Sequence, residues 1–160
     1  MTRMGLMDSP QLDDRGVRAP CASCGTMNRL GFAKLDKAAR CGHCHTALGA
    51  PSVAIEVSDA TRFDQAVAAA SVPVVVDFWA PWCAPCRMVT PELAQVAAHG
   101  QGQLLVLKVN TDAVPELADR FRIRSIPTLA VWVGGREAAR SVGVTSAADI
   151  EAMVRQAAGR

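Results

Sequence analysis

The stretch VPVVVDFWAPWCAPCRMVTPELAQVAAHG, residues 72–100, decides the fold of this chain. Residues 72–79 are mostly apolar and β-branched, as in a strand that is buried on both faces. After them the large apolar residues recur at helical spacing: Met88, Val89, Leu93 and Val96. Pro85 fits the first turn of a helix, where its missing N–H leaves no hydrogen bond unmade. The pattern therefore predicts a strand that turns directly into a helix, with Cys83 and Cys86 at the turn.

The setting of this cysteine pair indicates redox chemistry. Cys83 stands at the predicted helix N-terminus, where free backbone N–H groups and the helix dipole favour a thiolate. Cys86 follows three residues later on the same face, so the two sulfurs can form and break a disulfide. The alternative is a third metal site that lacks a second pair of ligands.

Two further C-x-x-C pairs precede this stretch, CASC with Cys21 and Cys24 and CGHC with Cys41 and Cys44. Sixteen residues separate the pairs, a spacing typical of a four-cysteine zinc site. The segment between them, residues 25–40, has too few large apolar residues to fold unaided, and a metal would supply the missing stability. Four thiolates fill all positions on the ion, which predicts structural Zn²⁺. The alternatives are two disulfides or free thiols.

Residues beside these cysteines bear on the same prediction. Gly25 and Gly42 tolerate positive φ, and we expect them to ease the two tight turns. His43 and His45 flank Cys44, and either could replace a cysteine as a ligand. The alternative interpretation is that both histidines are exposed near the site.

Composition excludes several classes of protein. The 160 residues are 50% hydrophobic and 20% charged with a net charge of +2, which excludes a disordered chain and a strongly basic nucleic-acid binder. Three arginines alternate near acidic residues, which favours a solvated face over a nucleic-acid site: Arg120, Arg122 and Arg124. No apolar run approaches the ~20 residues of a membrane span. The first residues lack the apolar run of a secretion signal, so we expect a cytoplasmic protein.

Several segments together resemble the thioredoxin family over residues 53–160: VVDFWAPWCAPCRMVTPELAQVA, LLVLKVNTD, RIRSIPTLAVWVGG and SVGV. With the two leading cysteine pairs and the NRL of residues 28–30, the chain is similar to the zinc-containing bacterial branch, thioredoxin 2. The resemblance implies that Cys83 is the attacking thiol and Cys86 the resolving thiol. It also implies that Asp77 is the buried acid beneath the pair and that Lys108 is its neighbour.

The resemblance extends to the substrate surface. It implies that Pro127 is a cis-proline facing the disulfide, and that Trp82, Ile126 and Gly143 form the apolar rim where substrates dock. Three positions depart from the usual residues of the family: Ala84 and Ser125 replace glycine, and Arg87 replaces lysine. Because the residues between the cysteines influence the thiol pKa, Ala84 leaves the reduction potential open.

Part of this assignment also follows from the residues themselves, independently of the family resemblance. A carboxylate in the apolar strand VVVDFW is costly to bury, so we expect a raised pKa for Asp77 and proton exchange near neutral pH. The alternative is a solvent-facing edge residue. Lys108, in the apolar strand LLVLKV, is the expected partner of Asp77, although its stem could also reach out to solvent. We expect Pro127 to begin a strand, Trp79 to be packed and Trp82 to be partly exposed.

The predicted fold class is α/β, a thioredoxin fold in which helices flank a central mixed β-sheet, preceded by a small zinc-ribbon-like module. The predicted order is β-α-β-α-β-α-β-β-α, with Gly134 and Gly135 in a hairpin turn. We expect a flexible leader over residues 1–20, a four-cysteine zinc module over 21–50 and the thioredoxin domain over 51–160.

The predicted function is reduction of protein disulfides by the Cys83/Cys86 dithiol. No organic cofactor is expected in the chain, and the resemblance implies a zinc ion that is structural or redox-responsive. The resemblance implies disulfide-containing protein substrates and an NADPH-dependent thioredoxin reductase that restores the dithiol, and we expect a monomer. The alternative is a zinc-dependent redox sensor or partner-binding module in which the dithiol is incidental.

Overall fold

The structure, a computed structural model, describes residues 9–100 and 102–159. Short strands form an N-terminal module: β1 (Gln11–Leu12), β2 (Gly16–Pro20), β3 (Met27–Gly31), β4 (Ala39–Arg40) and β5 (Ala47–Leu48), with a 3₁₀ helix at Phe32–Lys34. An α/β domain follows: β6 (Ile55–Glu56), α1 (Ala60–Ala69), β7 (Val74–Trp79), α2 (Ala84–Gly100), β8 (Leu105–Asn110), α3 (Pro115–Arg120), β9 (Thr128–Val133), β10 (Arg136–Val142) and α4 (Ala147–Ala157). The element order of the domain is the predicted one.

The central sheet has the strand order β10-β9-β7-β8-β6. Strands β6, β8 and β7 run parallel, whereas β9 is antiparallel to both β7 and β10, so the sheet is mixed. Residues 74–78 of the central strand β7 are all buried, because helices cover both faces of the sheet. The predicted fold class is confirmed.

Alternate residues of β7 face two different cores. Val76 and Phe78 lie in a cluster with Phe63 of α1 and Leu117 of α3. Val75 lies in a second cluster on the opposite face, with residues of α2 and α4: Val89, Leu93, Ile150 and Val154. The odd-numbered positions of β7, which include that of Asp77, therefore lie on the α2 side of the sheet.

The N-terminal module shares the core of the domain. Val17 and Phe32 are buried in the same cluster as Ile55 and Phe63. The backbone N–H of Ser71 also donates to the carbonyl of Phe32 over 2.9 Å. The module is therefore packed onto the domain.

The prediction of a flexible leader to residue 20 is wrong for residues 9–20. Strand β2 pairs antiparallel with β3, placing Val17 opposite Leu30, and β1 pairs with β2. A Cβ at Gly16 would approach the Leu30 carbonyl oxygen to 2.2 Å, so this pairing requires glycine there. Residues 1–8 of the predicted leader lie outside the described residues.

The hairpin between β9 and β10 turns at Gly134 and Gly135, as predicted, with φ of 59° and 82°. The register shifts between Glu137 and Ala139, which is a bulge in the outer strand β10. None of the helices in the described part of the chain is both long and apolar enough to cross a membrane.

Candidate redox site and metal site

The Cys83–Cys86 pair lies where β7 gives way to α2, and the two residues form a disulfide. Helix α2 begins at Ala84, so Cys83 directly precedes the helix and Pro85 lies in its first turn, as predicted. The backbone N–H of Cys86 points at the Cys83 sulfur over 3.2 Å. When the pair is reduced, this N–H and the helix dipole stabilise a thiolate on Cys83.

Two predicted rim residues, Ile126 and Gly143, and the predicted cis-proline Pro127 lie on the Cys83 side of this pair. The Cys83 sulfur is 3.7 Å from the carbonyl oxygen of Ile126, and the Ile126–Pro127 peptide bond is cis. Gly143 donates its N–H to the carbonyl of Pro127 over 2.9 Å. The structure thus brings Cys83, Ile126, Pro127 and Gly143 together.

Trp82, the other predicted rim residue, is 70% exposed. Its indole N–H donates to the Asp112 carboxylate over 3.0 Å, which orients the ring beside the disulfide. An open groove lies beside Trp82, and Ile126 and Arg124 also line it. An exposed aromatic ring beside a groove and a buried disulfide is an arrangement that a bound polypeptide can cover.

Asp77 is fully buried, and neither oxygen of its carboxyl group has a hydrogen-bond partner in the described structure. Burial raises the pKa of Asp77 to about 7. The positive charge of Lys108 acts against this rise in pKa, and the negative charge of Glu56 adds to it. A carboxyl group with this pKa can take up and release a proton near neutral pH.

Lys108 lies directly opposite Asp77 in the β7–β8 register, but its ammonium contacts other groups. The Nζ atom is 3.9 Å from Oε1 of Glu56 and 4.4 Å from the centroid of the Trp79 ring. Sequence reasoning missed Glu56. Its position in AIEV is that of an ordinary exposed acid, and only the pairing of β6 with β8 brings it to Lys108.

The four cysteines of the N-terminal module converge on one point. Their sulfur atoms all lie within 4.8 Å of one another. Two sulfur pairs, Cys21 with Cys44 and Cys24 with Cys41, are 3.6 Å apart. In a tetrahedral site with Zn–S bonds of ~2.3 Å, sulfurs lie roughly 3.8 Å apart. The donor set and its spacing therefore fit zinc.

The two turns that carry these cysteines are built alike. Cys21 donates its N–H to the carbonyl of Thr26 over 2.8 Å, and Cys41 donates to Thr46 over 2.9 Å. In each turn the residue after the second cysteine has a positive φ, 76° at Gly25 and 63° at His45. The expectation that Gly42 supplies the second positive φ is therefore wrong, because His45 occupies that position.

Asn28 joins the two turns. Its side-chain N–H₂ donates to the Thr26 carbonyl over 2.9 Å and to the Cys41 sulfur over 3.4 Å. Its side-chain oxygen accepts the N–H of Gly42 over 3.0 Å. The pKa of Cys41 is lowered to about 5, first by the backbone N–H of Cys44, then by that of His43 and by Asn28. A thiolate is the form of cysteine that binds zinc.

The two histidines that were alternative ligands, His43 and His45, are exposed. Among the described residues, the group that could hold a metal ion consists of the four cysteines alone. This matches the predicted set of ligands.

Comparisons with known proteins match both regions of the chain. The family model described as "Thioredoxin" matches residues 53–156, and the model "Thioredoxin 2, N-terminal" matches residues 20–46. Thioredoxin C-3 of Corynebacterium nephridii is 38% identical over 136 residues, covering 85% of this chain and 92% of that protein. A bifunctional thioredoxin reductase/thioredoxin of Mycobacterium leprae is 46% identical over 91 residues, 57% of this chain and 20% of that protein.

Among solved structures, a mutant thioredoxin from Halobacterium salinarum NRC-1 matches with a TM-score of 0.62 and 26% identity. The match covers 68% of this chain and 94% of that one. The fold, the cysteine pair at the start of α2 and the matched family models lead to one conclusion. The chain belongs to the thioredoxin family of protein disulfide oxidoreductases and carries the N-terminal zinc ribbon of the thioredoxin 2 type.

Proposed function

We propose that this chain reduces protein disulfides by cycling Cys83 and Cys86 between the dithiol and the disulfide. The observation that carries the proposal is the disulfide-bonded pair at the N-terminus of α2, on a strand–helix turn that follows the buried Asp77. The exposed Trp82 and the groove beside it support docking of a polypeptide substrate.

The reaction has two thiol–disulfide exchanges. The Cys83 thiolate attacks one sulfur of the substrate disulfide, forms a mixed disulfide and releases the other substrate sulfur as a thiolate, which takes a proton from water. Cys86 then gives its proton to the Asp77 carboxylate and attacks the Cys83 sulfur. The Cys83–Cys86 bond forms, the bond to the substrate breaks, and the substrate gains two electrons while the pair is oxidised.

The rim residues position the substrate in this scheme. We assign Ile126 and Gly143 to an apolar surface on which the substrate chain lies, with Pro127 facing the disulfide and Trp82 covering the bound segment. Lys108 would tune Asp77 through its charge. These assignments rest on the contacts that link Cys83, Ile126, Pro127 and Gly143 and on the resemblance of the motif IPT to that of the family.

Thioredoxins act on disulfide substrates and are reduced by thioredoxin reductase, and one relative of this chain has the two fused. We infer that an NADPH-dependent thioredoxin reductase restores the Cys83/Cys86 dithiol, that this electron transport takes place in the cytoplasm, and that the chain works as a monomer. Size-exclusion chromatography with light scattering tests the monomer.

We also propose that Cys21, Cys24, Cys41 and Cys44 hold one zinc ion. The converging sulfurs and the low pKa of Cys41 support this. Zinc, when bound, would supply a cross-link between the two turns of the module. The predicted zinc module of residues 21–50 extends towards the N-terminus to include strands β1 and β2, and the proposed thioredoxin domain covers residues 51–160.

The test is insulin reduction driven by NADPH and thioredoxin reductase, measured for the wild type, Cys83→Ser and Cys86→Ser. We expect both variants to lose turnover. Cys86→Ser should also accumulate mixed disulfides with the substrate, because the resolving thiol is gone, whereas Cys83→Ser should not. Full turnover by Cys83→Ser would overturn the proposal.

A further inference from the structure

Three ionisable residues form a row across adjacent strands of the sheet. Strand β8 lies between β6 and β7, and the register places Lys108 opposite Glu56 on one side and opposite Asp77 on the other. Residues in register on neighbouring strands point to the same face of a sheet. Lys108 is therefore a single cation between two carboxyl groups.

Solvent exposure falls along this row. The side chain of Glu56 is 52% exposed, that of Lys108 is 18% exposed, and Asp77 is fully buried. The Lys108 ammonium lies 3.9 Å from the Glu56 carboxylate. The Asp77 oxygens have no hydrogen-bond partner among the described residues, so the cation is held at the solvent end of the row.

Trp79 contributes to this arrangement. Its ring lies under the Lys108 ammonium, 4.4 Å from Nζ to the centroid, and Trp79 follows Asp77 by two residues on the same face of β7. The ammonium thus contacts both the Trp79 ring and the Glu56 carboxylate.

We propose that Glu56 is a positioning residue for proton transfer, because it holds the Lys108 ammonium away from the Asp77 carboxyl group. This inference rests on the role of Asp77 proposed above. A direct ion pair with Lys108 would favour the ionised carboxylate and make Asp77 a poor acceptor for the proton of Cys86. Glu56 prevents that pairing by competing for the cation.

In the described part of the chain, the residues that lie opposite Asp77 on β9 and over this face from α2 are apolar. The residue opposite it on β9 is Leu129, and α2 covers this face of β7 with apolar residues such as Val89. The charges that act on Asp77 are those of Lys108 and Glu56. A change at either residue therefore reaches Asp77 without a competing charge from another element.

The test is the titration of the Asp77 carboxyl carbon by NMR in the oxidised, ¹³C-labelled protein, together with the pH profile of insulin reduction. In Glu56→Gln the ammonium loses its outer partner and turns towards Asp77. We expect the titration midpoint of Asp77 to move to lower pH by about one unit. The acidic limb of the activity profile, along which the Asp77 carboxylate forms, should move in the same direction.

Lys108→Met tests the same geometry from the other side and remains informative if Glu56→Gln folds poorly. Without the ammonium, burial and the Glu56 charge act unopposed, so the Asp77 midpoint should move to higher pH. Glu137→Gln is the matched control, because it removes one carboxylate on β10, at the opposite edge of the sheet. We expect it to leave the Asp77 titration unchanged.

The outcomes separate this inference from the proposed function. Unchanged activity of folded Asp77→Asn at every pH would overturn the role of Asp77, whatever Glu56 does. If Asp77→Asn is impaired, but Glu56→Gln leaves the Asp77 midpoint in place or raises it, the positioning role of Glu56 is refuted. Opposite shifts in Glu56→Gln and Lys108→Met are expected from the two charges alone. The positioning role is established if the Glu56→Gln shift largely disappears in the Lys108→Met background, and it is refuted if that shift persists there in full.

Discussion

The same tetrapeptide pattern, C-x-x-C, takes two backbone paths in this molecule. In the zinc module each pair lies in a turn that returns on itself, with a positive φ after the second cysteine and a hydrogen bond that closes the turn. At Cys83 and Cys86 the chain continues into α2, and the two sulfurs bond to each other. The comparison teaches that the residues after the pair, rather than the pair itself, decide between metal binding and redox chemistry.

The two regions also shift the pKa of an ionisable group in opposite directions. In the module, three N–H groups lower the pKa of Cys41, so the charged form of the thiol is stabilised. In the domain, Asp77 is buried with no hydrogen-bond partner among the described residues, so the charged form of the carboxyl group is destabilised. The first arrangement suits a permanent ligand, and the second suits a group that must exchange a proton.

Removing the metal should give the largest effect on stability that separates the two regions. Binding of structural zinc is worth about 10 kcal/mol or more in small zinc modules, and the module here has little core of its own. We expect Cys41→Ser to lose zinc and to unfold at a clearly lower temperature, whereas Cys83→Ser should retain one zinc per chain. Zinc content by elemental analysis and thermal unfolding by circular dichroism measure both.

This prediction can fail in two ways. Protein purified under reducing conditions could contain no zinc, or Cys41→Ser could retain the metal in full. Either result would remove the distinction between the two kinds of cysteine pair.

The next largest effect concerns the buried acid. The pKa of Asp77 is about 7 in the folded protein against an ordinary value of 3.8, so ionisation costs free energy only in the folded state. Stability is therefore lost as pH rises from about 4 to about 7. We expect Asp77→Asn to stabilise the oxidised protein above pH 7 by an amount on the order of 4 kcal/mol, and to do so hardly at all near pH 4.

Urea unfolding of the wild type and Asp77→Asn between pH 4 and pH 8 measures this difference. The control is Asp119→Asn, which changes an exposed carboxyl group on α3 and should show no such pH dependence. A difference between wild type and Asp77→Asn that stays constant over this range would contradict the raised pKa.

The smallest predicted effect concerns Asn28, which joins the two cysteine turns of the module. Asn28→Ala removes the hydrogen bonds that join the two turns, including the one to the Cys41 sulfur. Loss of such a partner of a metal ligand typically costs about 10–100-fold in affinity. We expect zinc to pass more readily to a competing chelator, while insulin reduction stays at the wild-type level.

Asn28→Asp tests the two donors separately. It keeps an oxygen for the N–H of Gly42 but places a carboxylate oxygen against the Thr26 carbonyl and the Cys41 sulfur, so its zinc affinity should be no higher than that of Asn28→Ala. Equal zinc affinity in all three proteins would show that Asn28 does not support the metal site.

Much of the domain could be predicted from sequence because its signals are local. The apolar run before Asp77, the helical spacing after Pro85 and the glycine pair at Gly134 and Gly135 each specify one element, and the element order of the domain followed from them. The strands of residues 9–20 were missed for the opposite reason. They are short, and what stabilises them is pairing with β3 and burial of Val17 in the domain core.

The same distinction between local and long-range signals applies to the two sites. Cysteine spacing was enough to predict the four converging sulfurs, since the spacing itself limits the geometry. The contact of Lys108 with Glu56 depends on the register of β6 and β8, two strands that are distant in sequence, which no local pattern encodes. Likewise, glycine preference pointed to Gly42, while the backbone path places the positive φ at His45.

The N-terminal module also bears on whether copies of the chain associate through the edges of their sheets. An open sheet has two outer strands whose unpaired N–H and C=O groups could extend into a neighbouring molecule. On one side β10 carries Arg136, Glu137 and Arg140 and a bulge, which discourage such pairing. On the other side β6 is two residues long, and the module packs beside it. One edge of the sheet is thus protected by charged residues and the other by the packed module. If loss of the metal unfolds the module, β6 becomes exposed and the protein should aggregate.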